Sequence, residues 1–93
     1  MKAFHAVIGG QVQGIGFRYS AVREARALGL AGWVRNLAEG DVEVWAEGSA
    51  AELEEFSEWL KTGPDGAWVR DFELTWESPS GKYASFNIAF EAR

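Results

Sequence analysis

Gly10-Gln11-Val12-Gln13-Gly14-Ile15-Gly16-Phe17-Arg18 joins an apolar run to the start of a helical pattern and sets an arginine at its mouth. Residues of these types at this spacing can hold a small phosphorylated anion. Glycines at 10, 14 and 16 permit positive φ and close backbone approach, and successive N–H groups of such a loop converge into an anion-binding concavity. The helix start adds donors and the positive end of its dipole. Arg18 closes the cup with a planar fork suited to two phosphate oxygens.

The elements that must position this loop follow from periodicity. Phe4, Ala6 and Ile8 share one parity over residues 3–8, which predicts a strand with one buried face. Ala21, Val22, Ala25 and Leu28 fall at helical spacing from Phe17, and Gly29 supplies the stop. Residues 30–37 alternate weakly into the polar turn Asn36-Leu37-Ala38-Glu39-Gly40, after which Val42, Val44 and Ala46 alternate with polar or aromatic neighbours, so a hairpin is expected. Ser49-Ala50-Ala51-Glu52 has the form of a capping box, and Leu53, Phe56, Trp59 and Leu60 make the apolar stripe of a second helix that stops near Gly63-Pro64. Phe72, Leu74 and Trp76 alternate next, and Phe86, Ile88 and Phe90 share one parity in a last strand.

The order βαββαβ plus a short C-terminal strand, with right-handed crossovers, predicts an α+β ferredoxin-like sandwich: an antiparallel sheet with two helices on one face. In that topology the first two strands run parallel with another strand between them, so their C-terminal ends share an edge about 10 Å apart. The loop ending at Arg18 and the residue Asn36 are therefore expected to meet.

The two helix starts differ in sequence. Ser49 and Glu52 are expected to satisfy the first N–H groups of the second helix, whereas no Ser, Thr, Asp or Asn lies between Lys2 and Tyr19 to cap the first. Those donors either await a ligand or are served by Gly16 and water. The span Val12 to Arg18 has the length of a thiol-phosphatase loop but begins with valine, so phosphocysteine chemistry is excluded. No Gly-Lys-Ser/Thr is present, and Gly14-x-Gly16 lacks the third glycine of a dinucleotide loop. His5 has no ligand partners at zinc spacing and reads as a structural strand residue. Tyr19 and Ser20 have no base to activate them and read as packing or capping residues, and Trp59 and Trp76 as core.

What remains is direct attack of water on phosphorus, with Asn36 as positioner. Taken alone, Asn36 reads as an ordinary hairpin residue whose side chain holds a turn; facing Arg18, it acquires a chemical use. Without a strong acid or base, positioning and electrostatics must carry the reaction, which suits a leaving group that needs no proton. A mixed anhydride of phosphoric and carboxylic acids has one.

Composition bounds the partners. The 93 residues, 47% hydrophobic and 14% aromatic, fit one domain over 1–93, which should bury roughly 60–65% of its unfolded surface. A net charge of −5 argues against nucleic acid or an anionic membrane. Aromatic strands without accompanying basic residues argue against an RNA-binding sheet. Ala6-Val7-Ile8 is too short for a secretory or membrane-spanning segment, so a cytoplasmic location is expected by default. Absence of cysteine removes disulfides and thiolate metal sites.

Gly10 to Arg18 resembles the first signature of the acylphosphatases, and Gly32-Trp33-Val34-Arg35-Asn36 with Gly40-Asp41-Val42 and Gly48 is similar to their second. Gly63-Pro64, Ala67, Val69 and Phe86-Asn87-Ile88 follow in family order, so the likeness covers nearly the whole chain. Ile15 stands where valine is commoner, and Gln11 where a basic residue is frequent. The resemblance implies a ferredoxin-like fold, hydrolysis of a small-molecule acyl phosphate to carboxylate and phosphate, and no metal or organic cofactor. By residue, it implies phosphate binding by Arg18 with the loop amides of Gln13, Gly14, Ile15, Gly16 and Phe17, and water orientation by Asn36. A monomer is expected. The alternative is a non-catalytic small-ligand-binding or regulatory module on the same fold, against which the retention of Arg18 and Asn36 weighs.

Overall fold

Alternation of buried and accessible residues runs along the strands, because a half-covered sheet buries every second side chain. The structure, a computed structural model, describes residues 1–90. Its elements are β1 (Lys2–Gln11), α1 (Phe17–Ala27), β2 (Ala31–Asn36), β3 (Val42–Gly48), α2 (Ala50–Leu60), β4 (Trp68–Glu77) and β5 (Phe86–Ile88). They form one sheet in the order β4-β1-β3-β2-β5. The first four strands in that order pair antiparallel, and β5 adds a parallel edge on β2, so the complete sheet is mixed.

One face of the sheet carries the core. Phe4, Ala6 and Ile8 of β1, Val42, Val44 and Ala46 of β3, Val34 of β2 and Phe86 of β5 are buried with Ala21 and Ala25 of α1 and Leu53, Phe56 and Leu60 of α2. Phe56 stacks on Phe4 and meets Phe86 edge-on, which ties the second helix to the sheet's centre and far edge. Arg26 on α1 donates to Phe86 O at 2.9 Å and fixes β5 from above.

The opposite face is polar yet organised. Glu43 accepts from His5 Nε2 and from Arg35 Nε, each at 2.6 Å, and the Arg35 guanidinium lies 4.9 Å from the Trp33 ring. Burial alone would push the Glu43 carboxyl up, but these two donors and their charges outweigh it and hold the group below the ordinary range. Residues 78–85 cross this face from the β4 edge to the β5 edge. Glu47, only 3% exposed, pins the crossing by accepting from Ser80 and Gly81, and Trp33 Nε1 donates to Tyr83 Oη.

Several expectations need correction. Strand β1 extends beyond residue 8 to Gln11, because β4 continues to pair with it across a bulge at Gly9/Gly10. Ser49 has the backbone of an N-cap, but its side chain makes no capping bond; it is exposed, so water serves those amides. The contrast between capped and uncapped helices therefore does not hold. Trp76 lies on the core parity of β4 and meets Phe4 edge-on, yet remains 47% exposed because β4 is an edge strand. Tyr19 is 66% exposed and packs little. Phe90 lies beyond the end of β5 and is exposed.

Candidate active site

The loop between β1 and α1 is anchored from below and bare above. Val12 and Phe17 are buried, Ile15 packs against the core, and the Phe17 ring sits 5.7 Å from that of Trp59. Gly14 and Gly16 between these anchors are exposed and take φ of 79° and 78°, a left-handed conformation that side chains disfavour. Nothing lies within 4 Å of where a Cβ would stand on either, so backbone conformation rather than crowding calls for glycine there. The rim of the cup is main chain.

Gly16 is the N-cap of α1, in the αL region, with no side-chain cap and no acid in the first turn. The first helical bond runs from Ser20 N to Gly16 O. The amides ahead of it face the loop at the positive end of the helix dipole. Arg18 follows one residue into the helix, half-buried, and among the described residues no carboxylate pairs with it. Its guanidinium carbon lies 5.9 Å from the Phe90 ring centroid.

Asn36 ends β2 opposite Val42, and Ile8 pairs with the same Val42 from the other side. The parallel pairing of β2 and β5 continues through Ala89 N donating to Val34 O, which carries Phe90 toward the same end of β2. Arg18, leaning toward Phe90, and Asn36 are thereby directed to one edge of the sheet. Among the described residues, Asn36 Oδ1 is sealed from solvent without a hydrogen-bond partner. An orphaned buried acceptor costs about 1–3 kcal/mol, and such a group in a native fold calls for an explanation.

A direct link also joins the two halves. Gln13 Nε2 donates to Leu37 O at 2.9 Å and to Asp41 O at 2.8 Å. Sequence reading places only the Gln13 backbone in the cup; its side chain reaches a partner 24 residues away, and no periodicity announces such a bond. Depth does not mark the site either. Two surface concavities of about 420 Å³ lie elsewhere, one beside Lys2 and Trp76 and the other beside Gly9 and Arg70. A cup of main-chain amides for a tetrahedral ion is shallow by nature.

Comparison with known proteins points to one family and one fold. The family model described as Acylphosphatase matches residues 4–88. An acylphosphatase of Acaryochloris marina is 47% identical over 83 residues, covering 89% of this chain and 88% of that one. The crystal structure of acylphosphatase from Bacillus subtilis superposes with a TM-score of 0.92 at 37% identity, covering 96% of this chain and 99% of that one. An acylphosphatase structure from Coxiella burnetii gives a TM-score of 0.90 at 35% identity, over 95% and 92% of the two chains.

Proposed function

The chain belongs to the acylphosphatase family and hydrolyses acyl phosphates to carboxylate and inorganic phosphate; on that premise we propose which of its residues perform the reaction. Arg18 and the amides of Gln13, Gly14, Ile15, Gly16 and Phe17 grip the phosphoryl oxygens. Asn36 holds a water on the side away from the acyl group. The water oxygen attacks phosphorus, the bond from phosphorus to the acyl oxygen breaks, and the electron pair leaves on the carboxylate. That leaving group takes no proton at neutral pH. The water's proton passes to phosphate and solvent, so no side-chain acid is required. Stabilisation comes from fixed donors and a fixed charge.

The observation that carries this reading is the open, left-handed Gly14–Gly16 cup at the uncapped start of α1, with Arg18 in the first turn and Asn36 at the end of the strand that runs to the same side of the sheet. A domain that acts as a monomer in the cytoplasm, without nucleic acid, completes the proposal. The net charge of −5 supports a small anionic ligand over a polyanion. Among the described residues, no helix is long and apolar enough to cross a membrane.

Two variants assayed on benzoyl phosphate test the roles separately. Arg18→Ala loses turnover and inhibition by inorganic phosphate together. Asn36→Ala keeps phosphate inhibition while turnover falls by ~10²-fold, the scale of one lost positioned polar group. Parental turnover in either variant removes that residue from the mechanism.

A further inference from the structure

The anion cup and the water-holding residue sit on separate pieces of chain. Pairing between β1 and β3 ends at Ile8 and Val42; beyond it β1 continues to Gln11 paired with β4 alone. The strands thus part where the loop begins, and no backbone rung of that ladder fixes the loop relative to the hairpin that follows Asn36. Gln13 spans this gap. Both of its bonds leave one nitrogen and end on Leu37 O and Asp41 O, the carbonyls that close the hairpin turn. Those oxygens also accept within the turn: Leu37 N donates to Asp41 O at 2.8 Å and Gly40 N to Leu37 O at 3.1 Å. A single carboxamide therefore clamps both sides of the turn immediately after Asn36.

We infer that the Gln13 side chain is a positioning residue for the reaction: it sets the distance between the bound phosphorus and the water held by Asn36. The inference rests on the roles proposed for Arg18 and Asn36 and adds a group that touches neither substrate nor water through its side chain. Its backbone remains part of the cup, which side-chain substitution leaves in place. Errors of about 1 Å in the placement of reacting atoms cost on the order of 10²-fold in rate, so a brace of two hydrogen bonds has a measurable kinetic effect.

Gln13→Met keeps the length of the side chain and removes both donors. The expected result is a kcat reduced at least ~10-fold with the inhibition constant of inorganic phosphate essentially unchanged, because the cup is intact and the water is misplaced. Hydrogen exchange at the Leu37 and Gly40 amides should quicken in parallel. In an Asn36→Ala background the same substitution should lower kcat little further, since the two residues act through one water. Gln13→Ala provides the same comparison if methionine disturbs the packing beneath the turn. A parental kcat in both Gln13 variants overturns the inference, as does a phosphate inhibition constant that rises in step with the loss of turnover, or full additivity with Asn36→Ala. Full activity of Asn36→Ala alone refutes the assignment of water to Asn36, independently of any effect at Gln13.

Discussion

Replacing Glu47 by glutamine should unfold this protein more easily at neutral pH and make little difference in strong acid. Burial alone would raise the Glu47 carboxyl, yet its oxygens accept from Ser80 Oγ at 2.6 Å, Trp45 Nε1 at 2.7 Å, Ser80 N at 2.8 Å and Gly81 N at 3.0 Å. These bonds prevail and bring the pKa from the ordinary 4.5 down to about 2. At 1.36 kcal/mol per pH unit, that interval corresponds to roughly 3 kcal/mol of preference for the ionised group in the folded chain. Because the folded pKa is the lower one, this stabilisation is complete above pH 4.5, declines as pH falls toward 2 and is absent below it. Glutamine keeps one acceptor and turns an NH2 group toward the donors of Ser80 and Gly81.

Urea titrations followed by tryptophan fluorescence at pH 7, 4.5, 3 and 2 should show Glu47→Gln less stable by about 3 kcal/mol at pH 7, or roughly 10–20 °C in Tm for a chain of this size. The gap should narrow steadily below pH 4.5. Turnover of the folded variant should match the parent, because Glu47 pairs with Ala3 and Ala31 at the end of the strands remote from Asn36. A stability difference that stays constant from pH 7 to pH 2, or a variant as stable as the parent at neutral pH, refutes the reasoning.

Gly32→Ala would place a Cβ 1.9 Å from Trp45 O at a φ of 141°, so β2 must leave β3; thermal unfolding should show a loss of more than about 3 kcal/mol, and hydrolysis should fall with it because β2 carries Asn36. Asn36→Leu removes a buried acceptor that has no partner among the described residues, and its urea midpoint should rise by the equivalent of about 1 kcal/mol while turnover is lost.

The order of the elements along the chain and both helices are legible in the sequence because each element is signalled locally. Phe4, Ala6 and Ile8 declare a face by parity, Leu53, Phe56 and Leu60 a stripe by helical spacing, and Gly14 and Gly16 a turn by what they lack. Local signals fail where coverage is decided elsewhere in the chain. Phe4 and Trp76 sit on the same face of paired strands, but β1 is flanked on both sides and β4 is an edge, so one is fully buried and the other half exposed. Glu47 falls on the parity of β3 opposite its apolar face, where alternation says nothing of cover; a segment more than 30 residues later buries it. Gln13 is hidden for the same reason. Its meaning lies in two carbonyls whose proximity exists only after β1, β3 and β2 have assembled in that order.

Two buried polar groups near the two ends of the hairpin divide stability from chemistry. Both Glu47 and the Asn36 carbonyl oxygen lose hydration on folding, but Glu47 recovers four donors and Asn36 Oδ1 none among the described residues. A satisfied acceptor cannot take up a water without first giving up a bond, so a group like Glu47 is a poor place to hold a nucleophile. Asn36 Oδ1, closed to solvent in the resting fold and without a donor among the described residues, has no bond to give up, and the about 1–3 kcal/mol it forfeits is of the same size as the stabilisation at Glu47. On the roles proposed for this site, the clasp of Glu47 on Ser80 and Gly81 contributes to turnover only through the stability margin, so Glu47→Gln assayed well below its own Tm should hydrolyse at the parental rate.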